Sequence, residues 1–435
     1  MNNLKSYVLV VVIAIIVGAI YFINLGSVKR TGSAKVVTIT PRVPIASQPQ
    51  TSNNQLPTST VISQQLVNPL TLQPVQPPAP QLPTTNYKLP TNLVPNKFLS
   101  AEVKASRYQL AKEITTPDGF INTNGKPITV NELIGKKVIL IDFWTYSCIN
   151  CQRTTPYLNA WYEKYSAKGL VIIGVHTPEF EFEKKYANVK AAVEKFGIKF
   201  PVVLDNDYST WTAYKNRYWP RKYLIDIDGY VIYDHIGEGA YAETEKKIQE
   251  ALAERMAVLG ESGVVDQSIT NESQSESVSV SLLDKFGRSP ETYFGAARNE
   301  YFGNGISDKV GDQKGLVAPT EPKSNTLYLV GDWNLTDEFA QNISSGASIV
   351  YKYSAKDVFL VAEADEESIV EVLVDGKSVE IGAGLDVVKT NDGKTIVKIK
   401  EARLYKIIQS DQSEIHTLEL KILKPGLKAF AFTFG

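Results

Sequence analysis

At 435 residues the chain is longer than one hydrophobic core usually serves, which predicts two folded domains with connecting segments. Its 46 Lys and Arg stand against 47 Asp and Glu, a net charge of −1. So balanced a chain has no field with which to gather a polyanion, and no nucleic-acid partner is expected.

The first element is the apolar run from Tyr7 to Ile23, YVLVVVIAIIVGAIYFI. It approaches the roughly 20 residues that carry a helix across about 30 Å of hydrocarbon. A cleaved signal peptide is the rival reading, but its apolar stretch is about 7 to 15 residues and ends at a small-residue site. Residues 1–29 are therefore expected to form an uncleaved membrane anchor. Charge does not favour an exported body, since Lys5 precedes the run while Lys29, Arg30 and Lys35 follow it. Export is still the expectation, because a long polar segment follows and large domains translocate largely regardless of charge. The body would then lie on the extracytoplasmic side, in a periplasm or at the cell surface.

Residues 30–97, as in QPPAPQLPTTNYKLP, are rich in Pro, Gln, Ser and Thr and nearly free of charge. Such a segment cannot bury enough apolar surface to offset its ordering entropy, so an extended tether is expected. About 60 residues of coil span roughly 40 Å.

Residues 98–260 alternate strands with helices. KKVILIDFW reads as a buried strand, and the segment after Cys151 up to Ser166 has helical spacing in Tyr157, Leu158, Trp161 and Tyr165. GLVIIGVH is a second strand, followed by a helix over about 181–196. FPVVLD, a short helix near 209–216, RKYLIDIDGYVIYDHIG with its DIDG turn, and a last helix over about 242–259 complete an α/β domain with a mixed sheet flanked by helices. Residues 261–281 are polar again and read as a second linker. From 282 to 435 strands follow one another without helices, which predicts an antiparallel β-sandwich or jelly roll.

The chain has two cysteines, Cys148 and Cys151, in FWTYSCINC. A structural staple is a poor reading, because so short a loop gains little from closure. Zinc needs four ligands, and beyond this pair the chain offers only His176, His235 and His416. A redox pair is favoured. Copper delivery by the two cysteines and His176 is the runner-up. Cys148 follows a buried strand and starts a helix, where free N–H groups and the helix dipole favour a thiolate, so it is the expected nucleophile. Cys151, one turn later, is placed to resolve the mixed disulfide. Asp142 lies inside the apolar strand, where burial would raise its carboxyl and fit it to relay a proton, though a strand-end Asp reaching solvent is the plainer alternative.

The segment resembles the thioredoxin superfamily, and more closely its membrane-anchored TlpA-like and DipZ-like branch. The resemblance rests on Asp142, Trp144, the C-x-x-C and Pro156, and on the strings DFWTYSCINCQRTTPYLNAW, GVHTPEFEFEK and DNDYSTWTAYKNRYWP. It implies a thioredoxin-like fold and thiol-disulfide exchange on protein substrates without a cofactor. It makes Asp142 the proton relay toward Cys151 and Pro220 a cis-proline facing the cysteines, with Trp219 before it offering its backbone to a substrate strand. Common thioredoxins carry Trp before the first cysteine and Gly-Pro within the pair, where this chain has Ser147, Ile149 and Asn150. Those three residues are expected to tune the potential. Full DipZ-type proteins add a multi-span electron-conducting domain, so the resemblance implies a separate membrane electron donor of the CcdA/DsbD type.

Trp144 and Tyr146 read as packing residues that shape the rim of the site. His176, Glu179 and Glu181 follow the second strand on the side where open α/β sheets form sites. For His176 a solvated loop position is the plainer expectation, and related proteins keep an acidic residue in this area. SPETYFGAARNEYF and AFAFTFG resemble the DipZ group's carbohydrate-binding-module-like domain, which implies glycan stacking on Tyr328, Trp333, Tyr351 and Phe359. Alternating aromatics equally fit a sandwich core.

Overall fold

The computed structural model describes residues 98–270 and 287–435. The expected anchor at 1–29, the tether at 30–97 and residues 271–281 of the second linker lie outside the described residues. Among the described residues no helix is long and apolar enough to cross a membrane.

The first domain opens with α1 (Ala101–Arg107) and a short strand β1 (Gly119–Ile121), neither of which has enough periodicity to be read from sequence. There follow β2 (Val138–Trp144), α2 (Ile149–Tyr165), β3 (Leu170–His176), α3 (Tyr186–Lys195), β4 (Val202–Leu204), α4 (Ser209–Ala213), β5 (Arg221–Ile225), β6 (Val231–Ile236) and α5 (Tyr241–Leu259). The strands form a six-stranded sheet in the order β1-β4-β3-β2-β5-β6. β2 runs parallel to β3 and antiparallel to β5, so the sheet is mixed as expected.

Every residue of β2 is buried, because α2, α3 and α5 cover one face while residues 111–134 and the short α4 cover the other. The period of two divides it cleanly: Ile139, Ile141 and Phe143 enter one cluster, while Val138, Leu140 and Trp144 enter another with Cys151, Leu158 and Trp161 of α2. Asp142 shares the second face, which places it beneath the start of α2. Trp144 lies across β3 at Gly174, where any Cβ would stand 2.9 Å from the indole nitrogen. The DIDG turn closes the β5–β6 hairpin, with Asp226 accepting the Asp228 and Tyr230 N–H groups and Gly229 at φ +88°.

The helix expected over 181–196 is interrupted. A 3-10 turn covers Glu181–Lys184, and extended Lys185 separates it from α3, because Glu183 turns inward to bond backbone N–H groups upstream. The second linker also needs correction in its described part. Val265 is buried in the first domain's core, and Thr270 N–H donates to Glu245 Oε2 at 2.6 Å, so residues 261–270 dock on α2 and α5.

The second domain comprises β7 (Thr292–Tyr293), β8 (Gly311–Leu316), β9 (Leu327–Leu335), β10 (Ala340–Asn342), β11 (Ala347–Ala364), β12 (Ser368–Val374), β13 (Lys377–Ser378), β14 (Val387–Lys389), β15 (Thr395–Ile399), β16 (Arg403–Ile422) and β17 (Leu427–Phe434). The chain turns at 400–402 between β15 and β16, and the polar, exposed DQSE stretch runs on within β16. The layers are one continuous antiparallel sheet, since β11 first pairs β9 and then β17, and both of those pair β10. Register shifts at Ala355–Asp357 and Val358–Phe359 let β11 and β16 bend from one layer into the other.

Both domains belong to one compact unit of the chain. The first domain's core runs on into the second through Phe359, Val361, Leu404, Phe430 and Ala431.

Candidate active site

Cys148 is the N-cap of α2, and its sulfur accepts the N–H of Cys151 at 3.4 Å, one of the donors that a helix start leaves unpaired. Cys148 is half-buried and Cys151 is 2 % exposed. The thiols are free, so the pair stands as the dithiol. The carbonyl of Trp219 faces the Cys148 sulfur at 4.0 Å, and the Trp219–Pro220 bond is cis. Two distant parts of the chain thus meet at one sulfur.

Burial pushes the Cys151 thiol well above its ordinary value; the Cys148 thiol and the charge of Asp142 push the same way, against the Thr145 N–H. Burial also carries the Asp142 carboxyl up to about 7, with Lys222 pulling it down. Its Oδ1 has no hydrogen-bond partner in this dry setting. Lys222 pairs with Asp142 in the β2–β5 register and is fully buried; burial lowers its ammonium, opposed by Asp142 and Cys151. Its Nζ donates to the Gly237 carbonyl at 3.3 Å. The pair therefore rests on a carboxyl, an ammonium and a thiol whose charged forms are each disfavoured by burial.

The turn before Cys148 is held as firmly. Ile149 and Asn150 begin α2, and Asn150 O accepts from Thr154 Oγ1 at 2.9 Å. Ser147 donates its N–H and its hydroxyl to Glu183 Oε1, at 3.2 and 2.6 Å. Trp144 and Tyr146 are buried packing residues rather than a rim, and the Tyr146 hydroxyl reaches the Ala402 carbonyl of the second domain at 3.1 Å.

His176 is not a solvated loop residue. As the last residue of β3 it is 0 % exposed, edge-on to Trp144 and stacked on Tyr146, and burial lowers its imidazole to about 3. Its Nε2 lies 3.4 Å from Thr145 Oγ1, so the copper reading lacks its third ligand. Among the described residues no group of three or more His, Cys, Asp and Glu side chains is placed to hold a metal ion. Glu179 turns to the second domain, and Glu181 is exposed beside Lys184, so neither reaches the cysteines.

Sequence reasoning missed Lys222, Thr145 and Glu183. A lysine inside an apolar strand two residues after Pro220 was a legible signal for Lys222. For Glu183 the alternation of Glu179, Glu181 and Glu183 gave candidates, but only the fold selects among them. In the second domain Tyr328, Trp333, Tyr351 and Phe359 are all buried, and Trp333 Nε1 bonds the Val330 carbonyl. Trp333 and Tyr351 build the sandwich core and Phe359 joins the core shared with the first domain, so these buried rings are packing residues rather than a sugar platform.

The redoxin family matches residues 109–252, and a family described as the thioredoxin-like C-terminal domain matches residues 289–435. DipZ of Mycobacterium tuberculosis is 36 % identical over 328 residues, covering 74 % of this chain and 43 % of DipZ, so the chain spans less than half of that relative. The thiol-disulfide oxidoreductase YkuV of Bacillus subtilis is 31 % identical over 142 residues, 33 % of this chain and 93 % of YkuV. ResA of Bacillus cereus, another thiol-disulfide oxidoreductase, is 34 % identical over 146 residues, 33 % of this chain and 79 % of ResA.

Proposed function

The chain belongs to the thioredoxin-like thiol-disulfide oxidoreductases, and from that premise we propose that it reduces protein disulfides outside the cytoplasm, tethered by the apolar run Tyr7 to Ile23. The observation that carries the reading is the asymmetry of the pair. Cys148 is half-buried at a helix start while Cys151 is sealed beneath it over Asp142.

Cys148 thiolate attacks one sulfur of a substrate disulfide; a Cys148–substrate bond forms, the substrate bond breaks, and the displaced thiolate takes a proton. Cys151 then loses its proton to the Asp142 carboxylate and attacks the Cys148 sulfur. The Cys148–Cys151 bond forms, the second substrate thiolate leaves, and two electrons have passed to the substrate. Pro220 and the Trp219 backbone border the sulfur where the substrate strand would pair. Ser147, Ile149 and Asn150 set the geometry of the turn.

The reducing direction is supported by the buried Asp142 carboxyl beneath the pair. Negative charge there withholds stabilisation from the Cys151 thiolate, which favours disulfide as the product and makes the dithiol a strong reductant. The oxidised pair would be reduced again by a separate membrane donor of the CcdA/DsbD type.

Trapping tests the assignment. Cys151→Ala, expressed in full length, should accumulate proteins bound through Cys148. An empty trap alongside an active parent would overturn the roles given to the two cysteines.

A further inference from the structure

The turn that carries Cys148 is held by a buried carboxylate that takes no part in the exchange steps. Glu183 is 0 % exposed, and its Oε1 accepts both Ser147 donors. Its Oε2 accepts the N–H of Glu179 at 2.6 Å and of Phe180 at 3.0 Å. Four donors on two oxygens are what an ionised carboxylate accommodates; a protonated one would have to aim an O–H at a donor. Burial raises the Glu183 carboxyl, and the Ser147 and Thr145 side chains oppose that rise.

The loop bearing Glu183 is gripped on its other side by the β domain. Phe180 and Phe182 pack on Phe430 with ring centroids 5.1 and 4.8 Å apart. Glu179 Oε1 accepts from the Tyr293 hydroxyl and from Arg298, each at 2.8 Å, and the Arg298 guanidinium lies 3.7 Å over the Tyr293 ring. The N–H of Glu181 donates to Glu338 Oε2 at 3.1 Å. One loop thus joins the β domain to the residue before the nucleophile.

We infer that Glu183 is a positioning residue for the exchange reaction: through it the β domain fixes the turn that carries Cys148. Glu183 holds both Ser147 donors on one side. Its own loop is held on the other side by Phe430, Tyr293, Arg298 and Glu338.

The inference rests on Cys148 being the attacking thiol, and one experiment separates the two. Insulin disulfide reduction by the reduced full-length protein is followed, and the cysteine first modified by iodoacetamide is located by mass spectrometry. Glu183→Gln, which turns one acceptor oxygen into a donor, slows reduction several-fold. Ser147→Ala breaks the same contact and slows reduction too, so the double variant is little slower than Glu183→Gln alone. General loosening gives losses that add. Unchanged reduction in Glu183→Gln, or additive losses in the double variant, overturns the inference; should Glu183→Gln fail to fold, Phe430→Ala combined with Ser147→Ala is read by the same rule. Labelling first at Cys151 overturns the nucleophile assignment, and the inference with it.

Discussion

Replacing Asp142 with Asn puts the buried carboxyl to a thermodynamic test. In the unfolded chain the group ionises near its ordinary value of 3.8, while in the fold burial holds it to about 7. Between those values the folded state keeps a proton that the unfolded state has released, so stability falls as pH rises from about 4 and levels off above about 7. From pH 5 to pH 7 that is about two units at about 1.4 kcal/mol each, or roughly 3 kcal/mol lost by the parent. Asn does not titrate. The advantage of Asp142→Asn over the parent should therefore grow by roughly 3 kcal/mol between pH 5 and pH 8, read from urea unfolding of the reduced proteins. Lys222→Met, which removes the lowering influence, should carry the decline to higher pH. A stability difference that is the same at both pH values would refute the account of Asp142 as a desolvated acid.

The histidines should part company in an NMR titration. Burial lowers His176 to about 3, so its ring signals stay flat from pH 5 to 8, and the stability it contributes is lost only as pH falls below about 6.5 toward that value. His416 is raised by its hydrogen bond to Asp375, with Glu414 assisting, so it titrates above the ordinary histidine range. A His176 midpoint between pH 5 and 8 would contradict the buried, neutral ring.

The α/β domain was legible because its strands are continuous apolar runs and its helices carry the 3.6 period. KKVILIDFW and GLVIIGVH could hardly be anything but buried strands, and the cysteine pair between strand and helix fixed the position of the site. Asp142 was legible for the same reason, as a carboxyl in an apolar strand. What local pattern could not reveal were contacts made by partners far along the chain. Glu183 meets Ser147 across 36 positions, and Tyr146 meets Ala402 across 256. His176 looked like a loop residue because the strand's end is marked by Thr177 and Pro178, yet Trp144 and Tyr146 close over it. In the β domain the aromatics fitted both a sugar platform and a core, and only their burial in the folded sheet decides for packing. The linker at 261–270 was misjudged because its polar composition hides the specific bonds to Glu245 and Lys164 that hold it down.

The central claim is a two-electron cycle confined to Cys148 and Cys151. Its most direct test is equilibration of the full-length protein with glutathione buffers of set ratio, followed by acid quench and mass measurement of the pair. The account predicts one intramolecular disulfide that titrates as a two-electron couple, with a potential nearer the roughly −270 mV of a reductant than the roughly −120 mV of an oxidant, and its disappearance in Cys148→Ser or Cys151→Ser. Failure to form that disulfide at any ratio, or its persistence in either variant, would contradict the claim.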